Sequence, residues 1–150
     1  MSQSLARIYL HIIFTTKGHK KYLRNDICSE LYNYISKVVL EQGSCVVKIG
    51  SCEDHVHVLV DLSRTEALSN LVEIMKKRSS KWIKTKGEFY SDFSWQRGYG
   101  GFSISQSGID VVKKYIDNQE EHHKKISFKD EFRMLLKKYN VSYDEKYVWD

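Results

Sequence analysis

The segment 54–61, Asp-His-Val-His-Val-Leu-Val-Asp, constrains the fold more than any other stretch of the chain. It is short, rich in valine and free of glycine and proline, which is typical of a buried β-strand. Because strand side chains alternate between two faces, His55 and His57 share one face, about 6.6 Å apart at the backbone. Two imidazoles on a rigid strand can hold one divalent metal ion. The alternative, a histidine pair satisfied by neighbouring groups, stays open at this point.

The segments around this strand predict an α+β fold. Strands are expected at 5–16, 44–50 and 54–61, and a fourth at about 102–105 after a glycine-rich loop. One helix is expected from 25 or 26 to about 42 and a second after a Ser63-x-x-Glu66 capping box. Two more are expected at 109–124 and 128–139. The first six elements match a ferredoxin-like βαββαβ core with an antiparallel sheet and a central histidine strand. A C-terminal tyrosine-bearing helix and a further helix follow. Both early helices would cover one sheet face, leaving the other for a ligand, a partner or another chain.

Length and composition limit the class of protein. The 150 residues suit a single domain, 1–150, and 41% hydrophobic content favours a folded chain over a disordered one. There is no signal peptide and no run of 18 apolar residues, so a cytoplasmic location without membrane contact is expected. Three cysteines without a CxxC pair argue against a disulfide framework. The net charge of +5 favours an anionic partner, with nucleic acid first.

Two groups of cations are candidates for binding DNA phosphates. One surrounds the predicted turn after the first strand and the other lies near the end of the second helix: Lys17, Lys20, Lys21 and Arg24; Lys76, Lys77, Arg78 and Lys81, with Trp82 among them. A solvated helix end, favoured by the helix dipole, is the alternative for the second group. Trp82, Trp95 and Tyr99 are weaker candidates for stacking on bases, since core packing explains aromatic residues equally well.

A second constellation lies on the predicted helix 109–124. Tyr115 and Gln119 are four residues apart and so share a helical face, which His122 extends, with His123 beside it. A tyrosine hydroxyl is a nucleophile when a metal or base assists it, and an amide oxygen can complete a metal site. An amphipathic helix with a tyrosine at its edge is the alternative. Other histidine chemistries fit less well: Leu59 stands where a histidine triad needs its third histidine, and Cys52 would face away from His55 on a continuous strand.

Taken in order, these motifs resemble the single-tyrosine HUH transposases, the TnpA-type enzymes of the smallest insertion sequences. The resemblance spans most of the chain. It rests on DHVHVL at 54–59, KRSSKW at 77–82, WQRGYGGFSIS at 95–105 and YIDNQEEHH at 115–123.

The resemblance implies a function and a site. His55, His57 and Gln119 would hold Mg²⁺ or Mn²⁺, and Tyr115 would attack a phosphodiester to give a 5′-phosphotyrosine and a free 3′-hydroxyl. The substrate would be single-stranded DNA with hairpins near the element ends. The prokaryotic enzyme would act as a homodimer, with tyrosine helices exchanged between subunits as one arrangement. Two alternatives are a host-adopted enzyme that processes palindromes and a non-catalytic regulator that binds hairpins.

Overall fold

The computed structural model describes residues 2–150 and contains one antiparallel sheet of four strands. The strands are β1 (Tyr9–Thr15), β2 (Cys45–Ser51), β3 (His55–Asp61) and β4 (Gly100–Ile104). Their spatial order is β2-β3-β1-β4, and β2 and β3 form a hairpin. The expected ferredoxin-like core is confirmed, with the histidine strand as one of the two central strands.

Two long helices cover one face of the sheet. They are α1 (Asn25–Glu41) and α2 (Leu68–Lys84), and each turns an apolar stripe towards the strands. Val56, Val58 and Val60 face them and form the main core with residues such as Ile12 and Leu71. The valine face therefore packs as its alternation predicted. Within residues 2–150, no helix combines the length and the apolarity needed to cross a membrane.

The opposite face of the sheet is covered by the chain itself, in contrast to the free face expected from the sequence. Helices α3 (Ile109–Asp117), α4 (Gln119–His123) and α5 (Phe128–Lys138) lie over it. Ile116 of α3 packs with Leu59, and Phe128 of α5 packs with Ile13 and Phe102. The periodicity of these helices indicates an apolar side, but their docking face depends on contacts distant in sequence.

Three predicted boundaries differ from the structure. The first strand begins at Tyr9 rather than at 5, because β3 and β4 both end opposite Tyr9. The capping box is wrong: α2 begins at Leu68, while Ser63 forms a turn in which its hydroxyl accepts from the amide of Thr65. The helix expected at 109–124 is interrupted at Asn118, which separates α3 from α4.

Candidate metal centre and tyrosine site

The two strand histidines lie side by side beneath helices α3, α4 and α5. His55 and His57 have no solvent-exposed area, and their ring centroids are 5.0 Å apart. The predicted same-face arrangement is therefore present. Because β3 is hydrogen-bonded on both edges, the strand gives the two imidazoles a rigid base.

Helix α3 brings the tyrosine to this pair. Ile116 seats the helix on β2 and β3, where Gly50 leaves room for the Ile116 side chain and carbonyl. The Tyr115 ring centroid is 5.8 Å from that of His57. Despite the break at Asn118, the Gln119 side-chain amide donates to the Tyr115 carbonyl, and its Oε1 lies 3.3 Å from His55 Nε2. The four residues singled out by the sequence thus meet at one site.

Two further side chains join them. His55, His57, His123 and Glu131 each offer one ligand atom, and these atoms all lie within 4.8 Å of one another. His123 reaches the group because α4 starts afresh after Asn118. Glu131 comes from α5 and was missed by sequence reasoning, since it lies outside every motif. The sequence signal that could have found Glu131 is its position three residues after Phe128, which places a carboxylate on the apolar side of an amphipathic helix.

The hydrogen bonds of the histidines fit a metal site. His55 Nδ1 donates to Asp54 Oδ1 at 2.6 Å, and His123 Nδ1 donates to the Ile126 carbonyl at 2.9 Å. Each Nε2 then faces Glu131 Oε1, at 3.3 and 3.0 Å. An imidazole nitrogen without a proton repels a carboxylate oxygen, so a proton or a metal ion must lie between the two atoms. Acceptors at Nδ1, such as Asp54 and the Ile126 carbonyl, are typical of metal-binding histidines.

His57 has a different outer partner. Its Nδ1 lies 2.8 Å from Nε2 of His11, a buried residue of β1, and its Nε2 lies 3.2 Å from Glu131 Oε1. Burial lowers the pKa of His57 to about 4 and that of His11 to about 3. Both rings are therefore neutral at ordinary pH, which leaves His57 Nε2 available as a ligand when Nδ1 donates to His11.

The other titratable groups respond to the same cluster. Burial opposes the charging of His55, but hydrogen bonds to Asp54 and Glu131 outweigh it and raise its pKa to about 9. For Glu131, hydrogen bonds from the histidines overcome burial and hold the pKa far below its usual range. Burial and the Glu131 carboxylate raise the pKa of Tyr115, whose hydroxyl donates to Glu131 Oε2. The site is thus arranged around one buried carboxylate.

The predicted DNA-binding residues separate into two locations. Lys17, Lys20 and Lys21 are exposed on the turn that follows β1, whose last residue pairs with His55. The neighbouring Arg24 guanidinium lies 3.5 Å from the centre of the Phe89 ring. The cations of α2 lie across the sheet from the histidines, since α2 packs on the valine face.

Several residues of the α2 group have partners within the chain. The Lys76 ammonium donates to the Gln96 carbonyl at 2.8 Å, and burial lowers its pKa to about 8. Arg78 pairs with Glu41, and the Trp82 ring stacks on Tyr34 with centroids 5.3 Å apart. Lys77 and Lys81 are exposed.

The two other aromatic candidates occupy different environments. Trp95 is a core residue that donates to the hydroxyl of buried Ser79 at 2.9 Å. Tyr99 is 40% exposed. Solvent exposure thus leaves Tyr99, but not Trp95, accessible for stacking on a base.

Two depressions approach the site from the surface. A groove of about 520 Å³ is lined by Lys21, Asp54, His123 and Lys124, among others. A second, also of about 520 Å³, is lined by Tyr115, Glu131, Lys137 and Lys138, with two apolar residues of α5. Sequence reasoning did not single out Lys124, Lys137 or Lys138, which place positive charge near the tyrosine and the metal ligands.

A histidine pair on a central strand of a ferredoxin-like sheet, facing a helix that carries a tyrosine and a glutamine, defines a single-tyrosine transposase of the HUH class. The family profile described as "Transposase IS200 like" matches residues 4–119. The chain belongs to this family.

Individual relatives of this chain are also transposases. The ISDra2 transposase TnpA of Deinococcus radiodurans is 21% identical over 116 residues, which are 74% of this chain and 83% of the relative. A putative transposase structure from Deinococcus radiodurans superimposes with a TM-score of 0.62 at 19% identity, covering 79% of this chain and 98% of that one. The REP-associated tyrosine transposase bound to a REP hairpin superimposes with a TM-score of 0.61 at 15% identity, covering 84% and 76%. These structures share the fold of this chain.

Proposed function

We propose that residues 1–150 act as one metal-dependent transposase domain that cleaves and rejoins single-stranded DNA at hairpin-flanked element ends. The supporting observation is the position of the Tyr115 hydroxyl, which donates to a carboxylate oxygen of the metal-ligand candidate Glu131. A nucleophile and a metal site are thus next to each other, as strand cleavage requires.

The chemistry assigned to each residue follows from its surroundings. The Tyr115 oxygen attacks phosphorus and releases its proton, the bond to the 3′ oxygen breaks, and the 3′ oxygen takes up a proton, which gives a 5′-phosphotyrosine and a free 3′-hydroxyl. Attack by a 3′-hydroxyl on that linkage rejoins the strand. His55, His57 and Gln119 are the ligands proposed from the sequence for Mg²⁺ or Mn²⁺, which would polarise the scissile phosphate. Gln119 also holds the main chain at Tyr115 through its side-chain amide.

Hairpin DNA is the proposed substrate. The positive net charge supports a nucleic-acid partner, and one structural relative is described as bound to a REP hairpin. Exposed Lys17, Lys20 and Lys21 follow β1, whose last residue pairs with His55, and are the first of the predicted candidates for phosphate contacts. A host-adopted enzyme that processes scattered palindromes would use the same residues, and the DNA flanking the gene distinguishes it from a mobile element.

A homodimer is the proposed assembly. The chain's own Tyr115 lies at its own histidine pair, so the site has a nucleophile without exchange of tyrosine helices. Exchange would place the same helix on the partner's sheet with the same contacts. Both arrangements are compatible with the proposed chemistry.

Replacement of the tyrosine tests the reaction. We expect Tyr115→Phe to form no covalent adduct with labelled single-stranded hairpin DNA in Mn²⁺, because the attacking oxygen is gone. Hairpin binding should persist, since the phosphate contacts remain. Denaturing gels and filter binding measure the two properties. Tyr9→Phe serves as the control and should form the adduct normally, because Tyr9 pairs with Asp61, at the opposite end of β3 from His55. A covalent adduct in Tyr115→Phe would disprove the assignment.

A further inference from the structure

Helix α5 delivers a charged side chain into an otherwise apolar contact. Phe128 and Leu136 of this helix pack against Ile13 and Phe102, and Glu131 projects from the same side with 1% of its surface exposed. A carboxylate buried in this way is costly unless positive charge or hydrogen-bond donors surround it. The helix lies after residue 119, where the match to the family profile ends. Glu131 therefore lies outside the segment that the family profile matches.

The two oxygens of Glu131 have different partners. Oε1 lies 3.3, 3.2 and 3.0 Å from the Nε2 atoms of His55, His57 and His123. Atoms that share one metal ion are about 3.0–3.6 Å apart when each is about 2.0–2.2 Å from the metal. Oε2 accepts from the Gln119 side-chain amide at 3.1 Å and from the Tyr115 hydroxyl, and it lies 3.2 Å from Nε2 of His122. One oxygen is thus placed for the metal and the other for the nucleophile.

The hydrogen bonds around Glu131 Oε1 support a cation at this oxygen. His55 and His123 use their Nδ1 protons on Asp54 and on the Ile126 carbonyl, so their Nε2 atoms point at Oε1, and each contact is favourable only with a proton or a metal ion between the two atoms. The orientation of Gln119, fixed by the donation of its amide nitrogen to Glu131, turns its own Oε1 towards the same two Nε2 atoms. Two imidazole nitrogens and two acceptor oxygens therefore converge, and a divalent cation can replace the proton that lies between them.

We propose that Glu131 and His123 join His55, His57 and Gln119 as ligands of the proposed metal site, so that metal binding and docking of helix α5 on the sheet are one coupled equilibrium. This inference deepens the proposed metal-dependent function. Three imidazoles and one carboxylate favour a borderline cation such as Mn²⁺ or Zn²⁺ over Mg²⁺, which prefers oxygen ligands in an octahedral arrangement. Because Glu131 also binds the Tyr115 hydroxyl, the metal-bound state fixes the nucleophile next to the ion.

The coupling is tested on the full chain without DNA, first through hydrogen exchange. In the wild-type protein, saturating Mn²⁺ should slow amide exchange throughout Phe128–Lys138, because the ion ties Glu131 to the sheet. Unchanged exchange in this helix at saturating Mn²⁺ would overturn the proposal. This measurement needs no variant, so it decides the matter even where a substitution prevents folding.

Calorimetric titration supplies the second test. Mn²⁺ should bind the wild type at least tenfold more tightly than Mg²⁺ does, and Glu131→Gln should weaken Mn²⁺ binding at least tenfold while abolishing its protection of α5. Asp130→Asn is the matched control, since Asp130 is the preceding, exposed carboxylate and pairs with Arg133 at 3.0 Å. The Mn²⁺ affinity of this variant should stay within twofold of wild type. Equal affinity of Glu131→Gln and wild type, or equal affinity for Mg²⁺ and Mn²⁺, contradicts the ligand assignment. A wild-type protein that binds Mn²⁺ as described but cleaves no DNA would contradict the proposed reaction alone.

Discussion

Replacing Gly50 by alanine tests whether the seat of helix α3 positions the nucleophile. Gly50 lies on β2 directly opposite His57, and a Cβ there would be 2.8 Å from Ile116 Cγ2 and 2.9 Å from the Ile116 carbonyl oxygen. The side-chain atom can rotate away, but the carbonyl belongs to the helix backbone and cannot. To restore a contact of about 3.5 Å, the helix must retreat by about 0.6 Å.

Two magnitudes follow from this displacement. Overpacking of a tight contact costs about 1–3 kcal/mol of unfolding free energy. Since a misplacement of about 1 Å lowers catalysis on the order of 100-fold, a shift of about 0.6 Å at the residue next to Tyr115 should slow adduct formation about tenfold. Urea denaturation measures the first effect, and single-turnover adduct formation on hairpin DNA measures the second.

A second glycine provides the control. In Gly101→Ala the new Cβ would meet Leu68 Cδ2 at 2.9 Å, the end of a flexible side chain on α2, across the sheet from the site. This variant should form the adduct within about twofold of the wild-type rate. If Gly50→Ala matches the wild type in both stability and rate, then α3 does not rest on β2 in the active enzyme, and the reasoning is refuted.

Two further predictions concern the metal ligands and their surroundings. Asp54→Asn should weaken Mn²⁺ binding about 10- to 100-fold in calorimetric titration, because the carboxylate that holds Nδ1–H of His55 orients the ligand; unchanged affinity would show that this contact does not matter. Metal-free protein should be most stable near pH 6.5 in urea denaturation. Below that pH the unfolded chain protonates His11 and His57 before the folded chain does, which costs up to about 2.7 kcal/mol per pH unit for two groups. Above pH 6.5, the stabilisation that protonated His55 contributes is lost between pH 6.5 and about 9, at about 1.4 kcal/mol per pH unit. Saturating Mn²⁺ should remove the alkaline decline by replacing the His55 proton, and a pH-independent stability would contradict these assignments.

The sequence determined the histidine motif on the sheet and the Tyr115–Gln119 motif on the helices above it. Alternation along 54–61 is a local property, so it fixed which residues face the core and which face the site. The spacing of Tyr115 and Gln119 is also local and survived the interruption at Asn118, because the two residues are still joined by a side-chain hydrogen bond. These features could be predicted because each depends on neighbours within a few residues.

Glu131, His11 and the role of His123 were decided only by the tertiary structure. Glu131 lies 74 residues from His57, and His11 lies 46 residues from it, so no spacing rule connects them. A glutamate on an amphipathic helix is ordinarily a solvated side chain, and only the docking of α5 on Ile13 and Phe102 turns this one inwards. The sequence therefore indicated the histidine pair as candidate metal ligands. The sequence did not indicate Glu131 as a ligand, because the position of its carboxylate depends on how the last helix packs on the sheet.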